Sequence, residues 1–427
     1  LPALKKNFHL AVVTLVFVTQ FFRLWSFVDQ NAVNLLTHDD WDDMLLLFRD
    51  SSAWEMFRYQ HGPRRLGLGL WLTHFVFDLS HWNLRSHTFV MASVLGVCSF
   101  LGLWLKKRIF GKIVWTDSII PLLFMNLNQW ELLLYLPLNG IVMLALFLLL
   151  ALAFTVENVW LKGTFVVILN FLLIHTGYGM FAVGATGLVL LAELRQRPRF
   201  CIPVGALLGV CIAVFFYGYR SEPGLDCFKF PHERPWEYFV FASLMMSRFF
   251  GFVKTTGFAA VLSAMFFVGT IFVLMRTAKK SKKPSQVIFL LVAFSLLYSL
   301  NAAVGRVCAS VYAGKVSRYV TFMIPQMLGF YFFFLQLNRG TLRRIFVGLN
   351  LLLAIFSTFY FDKRDLQFLN EYVQSRKSWV QCFQNTLSVE DCSKSTGLFL
   401  YPNSHEKVKH QIEFLRDHKL NFFSEQE

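Results

Sequence analysis

The sequence predicts an all-α, polytopic transmembrane protein, and three observations lead there. Of the 427 residues 56% are hydrophobic and only 16% charged, where soluble domains run at about 25% charged. Apolar stretches of span length recur through the first 360 positions. The short loops between them carry clustered Lys and Arg. A mean hydropathy of +0.50 agrees, and the same composition excludes a disordered chain, a secreted disulfide scaffold and a coiled coil.

A span needs about 20 mainly apolar residues, with about 17 as the lower limit. The stretches that qualify are 8–28, 86–105, 113–128, 133–155, 163–176, 177–193, 200–218, 257–275, 285–303, 319–336 and 343–360. The balance of 41 Lys+Arg against 26 Asp+Glu gives +15. On a soluble chain that excess points to nucleic acid. On an apolar one it marks cytoplasmic loops, so the partner expected is a lipid bilayer and no nucleic acid. With about eleven crossings, Lys5/Lys6, Lys106/Lys107/Arg108/Lys112, Lys162, Arg195/Arg197/Arg199, Arg276/Lys279/Lys280/Lys282/Lys283 and Arg339/Arg343/Arg344 all fall on one face. The apolar segment Leu66–Leu79 is left out, because counting it would throw these clusters to alternating sides. It is expected as an interfacial or re-entrant helix on the outer surface.

This topology puts the N-terminus in the cytoplasm and leaves two parts: a membrane domain, 1–360, and a small soluble outer tail, 361–427. The tail carries 9 Lys+Arg and 10 Asp+Glu and is expected to be helical in places, as in Val408–His418. No cleavable signal peptide is expected, since no small-residue cleavage site follows the long first stretch. Cys227, Cys308, Cys382 and Cys392 lie outside. An even outer count permits disulfides, with Cys382–Cys392 favoured by its short loop and free thiols as the alternative. The absence of any N-x-[ST] sequon favours a bacterial inner membrane over the endoplasmic reticulum.

The chemistry concentrates on the outer face. After the first span comes Thr37-His38-Asp39-Asp40-Trp41-Asp42-Asp43, and four carboxylates at a bilayer edge are costly to bury and repel one another. One reading is structural: Thr37 and Asp40 form a capping box, with acids in a first helical turn and Trp41 anchored at the interface. The other is catalytic: Asp39 or Asp40 acts as general base on a hydroxyl, and the pair could share a divalent metal, Mg or Mn. The same loop continues through His61 to Arg64 and Arg65, which could fork onto a phosphate or simply touch lipid headgroups. A second basic group, Arg306, Lys315 and Arg318 with Ser317 and Tyr319, precedes the tenth span and suits phosphate in the same way. Gln129-Trp130-Glu131 could bond sugar hydroxyls or cap a helix. His175 and Tyr178 sit at another outward turn with weaker claims. The stretch 219–256, with Glu222, Pro223, Asp226 and Cys227, leads into an amphipathic segment, Glu237–Val253, bearing Arg248 and Lys254. It is expected to cover a cleft.

Cytoplasmic loops offer no Walker motif, dinucleotide fingerprint or Cys/His metal spacing, so nucleotide-driven chemistry is not expected. A transporter or lipid flippase is the rival reading. Its best ionisable candidate within a span is Asp117, near Pro121.

The acidic pair in His38-Asp39-Asp40-Trp41 after a first span resembles the GT-C superfamily of integral-membrane glycosyltransferases. Within it the chain is similar to bacterial enzymes of the O-antigen glucosyltransferase type. Gln129-Trp130-Glu131 and Gly305-Arg306…Ser317-Arg318-Tyr319 also resemble segments of such proteins, although Leu132 stands where Asn is common. The resemblance implies a GT-C-like fold, a polyprenyl-phosphate sugar donor and a glycan or glycolipid acceptor. It implies Asp40 or Asp39 as base, and Arg306, Arg318, Arg64, Arg65 and Lys315 around the donor phosphate. His38, Tyr319, His61, Gln129 and Glu131 would then contact substrate.

Overall fold

A computed structural model describes residues 2–134, 140–221, 227–251, 257–278, 280, 282–401 and 405–426. Glu222, Pro223, Asp226, Lys254 and Lys279 lie outside the described residues. Among the described residues the fold is all-α apart from one short hairpin, Gln60–His61 paired antiparallel with Arg64–Arg65. Among the described residues six helices are long and apolar enough to cross a membrane: Asn7–Asn31 of the first helix, Leu84–Phe110, Pro198–Phe216, Gly257–Ala278, Lys283–Arg306 and Gly340–Phe359. The protein is therefore a multi-pass membrane protein.

Four other expected spans are shorter helices, Gly140–Ala153, Val159–Ile174, Met180–Glu193 and Val320–Leu335, of 14 to 16 residues. The stretch 113–128 is not one helix. A 3₁₀ turn at Trp115–Ser118, a six-residue helix at Ile119–Phe124 and a second 3₁₀ turn at Leu127–Gln129 share it. Pro121 supplies no N–H for a continuous helix. The Asn126 side chain accepts from the Asn128 N–H (2.8 Å) and so holds a turn. In Val320–Leu335, where Pro325 interrupts the backbone ladder, the Ser295 hydroxyl donates to the Phe322 carbonyl and accepts from the Gln326 N–H, the repair that membrane helices need around proline.

Helix ends gather in two sets. At one end, Arg108, Thr155, Arg197 and Lys282 meet around a common cavity, and Lys283 pairs with Glu157 (3.0 Å). The buried Lys106 pairs with the buried Asp117 (2.6 Å), whose other oxygen accepts from the Tyr331 hydroxyl. Asp117 is thus a closed ion pair among basic residues. At the opposite end, Arg65 meets Phe215 and Tyr217, Glu131 meets Ser317, and Asn126 meets Ser357. Both ends of the helix Gly67–Ser80 belong to this second set: Leu68 bonds the His175 carbonyl, and His81 accepts from Asn421. The helix therefore starts and ends at the same end of the bundle.

The tail folds into helices Lys363–Thr386, Val389–Thr396 and His405–Asp417. Leu369, Tyr372, Val373, Arg376, Trp379 and Phe383 form a buried stripe at helical spacing. Its apolar members join the same core as the membrane helices, each contributing roughly 2–3 kcal/mol on full burial. Cys382 is bonded to Cys392, and Cys227 to Cys308. The second bond ties the segment 227–236 to the turn after Lys283–Arg306.

Candidate active site

The acidic segment forms a single turn, Asp40–Asp43, and its four carboxylates divide into different roles. Asp40 is buried and accepts the Thr37 backbone N–H (3.0 Å). That is half of the expected capping box; the Thr37 hydroxyl turns instead to the Tyr372 hydroxyl (3.1 Å). Burial, opposed by the Thr37 bond and the charge of Arg376, pushes the Asp40 carboxyl up to about 7. Asp42 accepts from the Tyr401 hydroxyl (2.6 Å). Asp43 is buried against Arg64 (3.4 Å) and His61 (3.5 Å). Burial raises its carboxyl, and Arg64 and then His61 pull it back. Asp39 is the exposed member of the set, and its charge acts on Arg64, Asp40 and Asp43.

His38, just before these acids, holds a left-handed backbone (φ 53°) that side chains rarely adopt. Its N–H donates to the Leu400 carbonyl (2.6 Å), and Gln411 donates to the Trp41 carbonyl (3.1 Å). Trp41 is fully buried, stacked on Phe48. It is a core residue and not an interfacial anchor, because the tail covers it. Burial, ahead of neighbouring charges, lowers the His38 imidazole. Arg376, itself buried, donates to the carbonyls of Leu35, Val33 and Leu134 and lies over Tyr372.

Gly62, at φ 55°, turns the hairpin that presents Arg64 and Arg65. The two arginines have different tasks. Arg65 is spent on the backbone, donating to the carbonyls of Phe215, Arg58 and Tyr217. Arg64 faces inward to Asp43 and donates to the Tyr178 hydroxyl (3.2 Å). Tyr178 is held by a tight turn: a Cβ on Gly179 would fall 1.8 Å from the Leu173 carbonyl oxygen.

From Tyr178 the rings continue to Tyr298 (5.8 Å) and then Tyr319 (6.2 Å), with Phe322 stacked on Tyr298 (4.0 Å). Arg318 lies over Tyr319 (5.9 Å), and both Arg318 and Arg306 act electrostatically on Tyr298 and Tyr319. The two cationic groups of the sequence, some 250 positions apart, thus meet through one aromatic cluster.

Glu131 accepts from the Ser317 hydroxyl (2.7 Å) and the Arg318 N–H (3.0 Å), while Gln129 accepts from Thr321 (2.7 Å). These bonds orient the Arg318 loop. Lys315 is buried, and burial followed by the charge of Arg248 lowers its ammonium to about 8. The fully buried Arg248 is paired with Asp365 of the tail. The expected cover, helix Glu237–Arg248, packs against the Val311–Lys315 turn, where Gly314 admits the Phe241 carbonyl.

Among the described residues no three His, Cys, Asp or Glu side chains converge as metal ligands. Asp39 and Asp40 lie in different surroundings: the first is exposed, the second buried on the Thr37 amide with the charge of Arg376 beside it. No protein-family model matches the chain, and no curated protein matches it in sequence.

Proposed function

We propose that the chain is a membrane glycosyltransferase with a GT-C-like plan of about eleven crossings. It would transfer a sugar from a polyprenyl-phosphate donor to an acceptor hydroxyl at the membrane face opposite its basic, cytoplasmic clusters. The observation that carries this reading is the convergence of an exposed carboxylate, Asp39, with Arg64 and, through Tyr178, Tyr298 and Tyr319, with Arg318 and Arg306. In this reading Asp39 takes the proton from the acceptor hydroxyl. The oxygen attacks the anomeric carbon with inversion, the bond to the phosphate oxygen breaks, and Arg64, Arg318 and Arg306 stabilise the charge on the leaving lipid phosphate. Asp40 and Arg65 act by holding the turn and the hairpin.

Purified protein given a polyprenyl-phosphate sugar and an acceptor tests this. Asp39→Asn should lower transfer by about 10²-fold or more, and Asp40→Asn should leave most of it. Full activity in Asp39→Asn removes the proposed base. Absence of turnover together with lipid-linked sugar exchange across vesicles would establish a flippase instead.

A further inference from the structure

The basic end of the bundle carries a site that the transfer reading does not use. A cavity of about 410 Å³ is lined by Arg108, Thr155, Arg197, Lys282 and Lys283, with Ile109 as its apolar wall. Its cations come from separate chain junctions: the end of Leu84–Phe110, the start of Pro198–Phe216 and the start of Lys283–Arg306. Folding therefore brings together charges that repel one another. Nearby acids neutralise only part of that charge. Glu157 pairs with Lys283 (3.0 Å) at the exposed rim and feels Arg108, while Glu193 lies between Arg197 and Lys162. Thr155 adds a hydroxyl to the lining, donating to the Leu152 carbonyl (2.7 Å).

The depth of the cavity is marked independently. Trp104, Trp115 and Trp160 are exposed around this end, Trp160 by 85%, and exposed tryptophans gather where a membrane meets water. A pocket of Arg and Lys between helix ends at that level, its charge only partly offset by Glu157, is built for an anionic headgroup. We infer that this cavity binds the phosphate of an anionic glycerophospholipid in the leaflet on the basic side, the guanidinium groups of Arg108 and Arg197 taking its oxygens and Lys282 and Lys283 closing the mouth. The acyl chains would lie outside, along the exposed apolar flanks of the neighbouring helices.

The test uses the full chain in nanodiscs of zwitterionic lipid, alone or with a fifth of anionic phospholipid. Tightly held lipid is counted by native mass spectrometry. Wild type should retain anionic over zwitterionic lipid. The variant R197Q/K282Q should lose that preference by roughly tenfold or more while unfolding at the same temperature in purely zwitterionic discs. R343Q/R344Q, which removes two charges from another basic loop, should keep it. Equal losses in both variants would reduce the effect to the general field of a basic surface and overturn the site. Soluble glycerophosphate or inorganic phosphate displacing the lipid at millimolar concentration would also overturn it as a lipid site, leaving a free-phosphate one.

Discussion

Asp40 gives the sharpest test, because its environment and its proposed role pull apart. A carboxyl held at about 7 in the folded chain and near its ordinary value when unfolded binds more protons folded than unfolded between those two values. Stability is then greatest at low pH and declines as pH rises through about 7. Taking 3.8 as the unfolded value, the full penalty is about 4 kcal/mol, of which about 2–3 kcal/mol develops between pH 5 and pH 8. Asp40→Asn removes the titration yet keeps an oxygen to accept the Thr37 N–H. In detergent, the wild-type Tm should fall from pH 5 to pH 8 by some 2–5 °C more than that of the variant. Asp43 and Asp365 are raised in the same direction, so the difference between the two profiles is the diagnostic quantity. Parallel profiles, or a variant less stable than wild type at pH 8, would refute the assignment of a buried, strained carboxyl.

Three further outcomes are expected. Arg376→Leu strips donors from three buried carbonyls and should destabilise the tail's docking by about 2–4 kcal/mol, read as faster proteolysis within 361–427 while the membrane helices stay protected. Asp117→Asn leaves Lys106 buried without its anion and should lower thermal stability by about 3–5 kcal/mol; Lys106→Met with Asp117→Leu should recover much of that, whereas a proton-coupled transport role would show no recovery of function. Arg64→Ala and Arg318→Ala should each lower kcat by about 10²-fold or more, since both stabilise charge on the leaving phosphate, and only Arg64→Ala, which removes a charge that Asp39 feels, should also shift the pH profile of kcat.

How much of this was legible in the sequence depends on the kind of signal. Long apolar helices such as Leu84–Phe110 and Lys283–Arg306 announce themselves by hydropathy. That both ends of Gly67–Ser80 lie at one end of the bundle agrees with its having been left out of the spans on the distribution of basic loops. The acidic turn and the Arg64 and Arg318 loops were visible as dense local clusters. The break in 113–128 was less so, because averaged hydropathy is blind to one proline and two asparagines that redirect the backbone. Tyr298, Tyr372 and Tyr401 were missed for a different reason: each is a single residue whose partner lies 21 to more than 300 positions away, and no local pattern encodes such a meeting. Arg376 did leave a trace. It falls on the apolar stripe of an amphipathic helix, between Val373 and Trp379, where a charge has no business unless something buried receives it.

The docking of residues 361–427 on residues 33–43 also dictates an order of assembly. The turn bearing Asp39 emerges early in synthesis, yet the groups that hold its flanks, Arg376, Leu400, Tyr401 and Gln411, follow more than 330 positions later. At ordinary translation rates that is a delay of about 20–60 s, during which the helices insert while the acids stand open to water. A chain interrupted after Phe359 would carry every helix it needs to enter the bilayer and still lack a finished acidic turn. Emergence of residues 376–411 thus serves as a check on what precedes them, since only a chain translated through them can set the turn that bears Asp39.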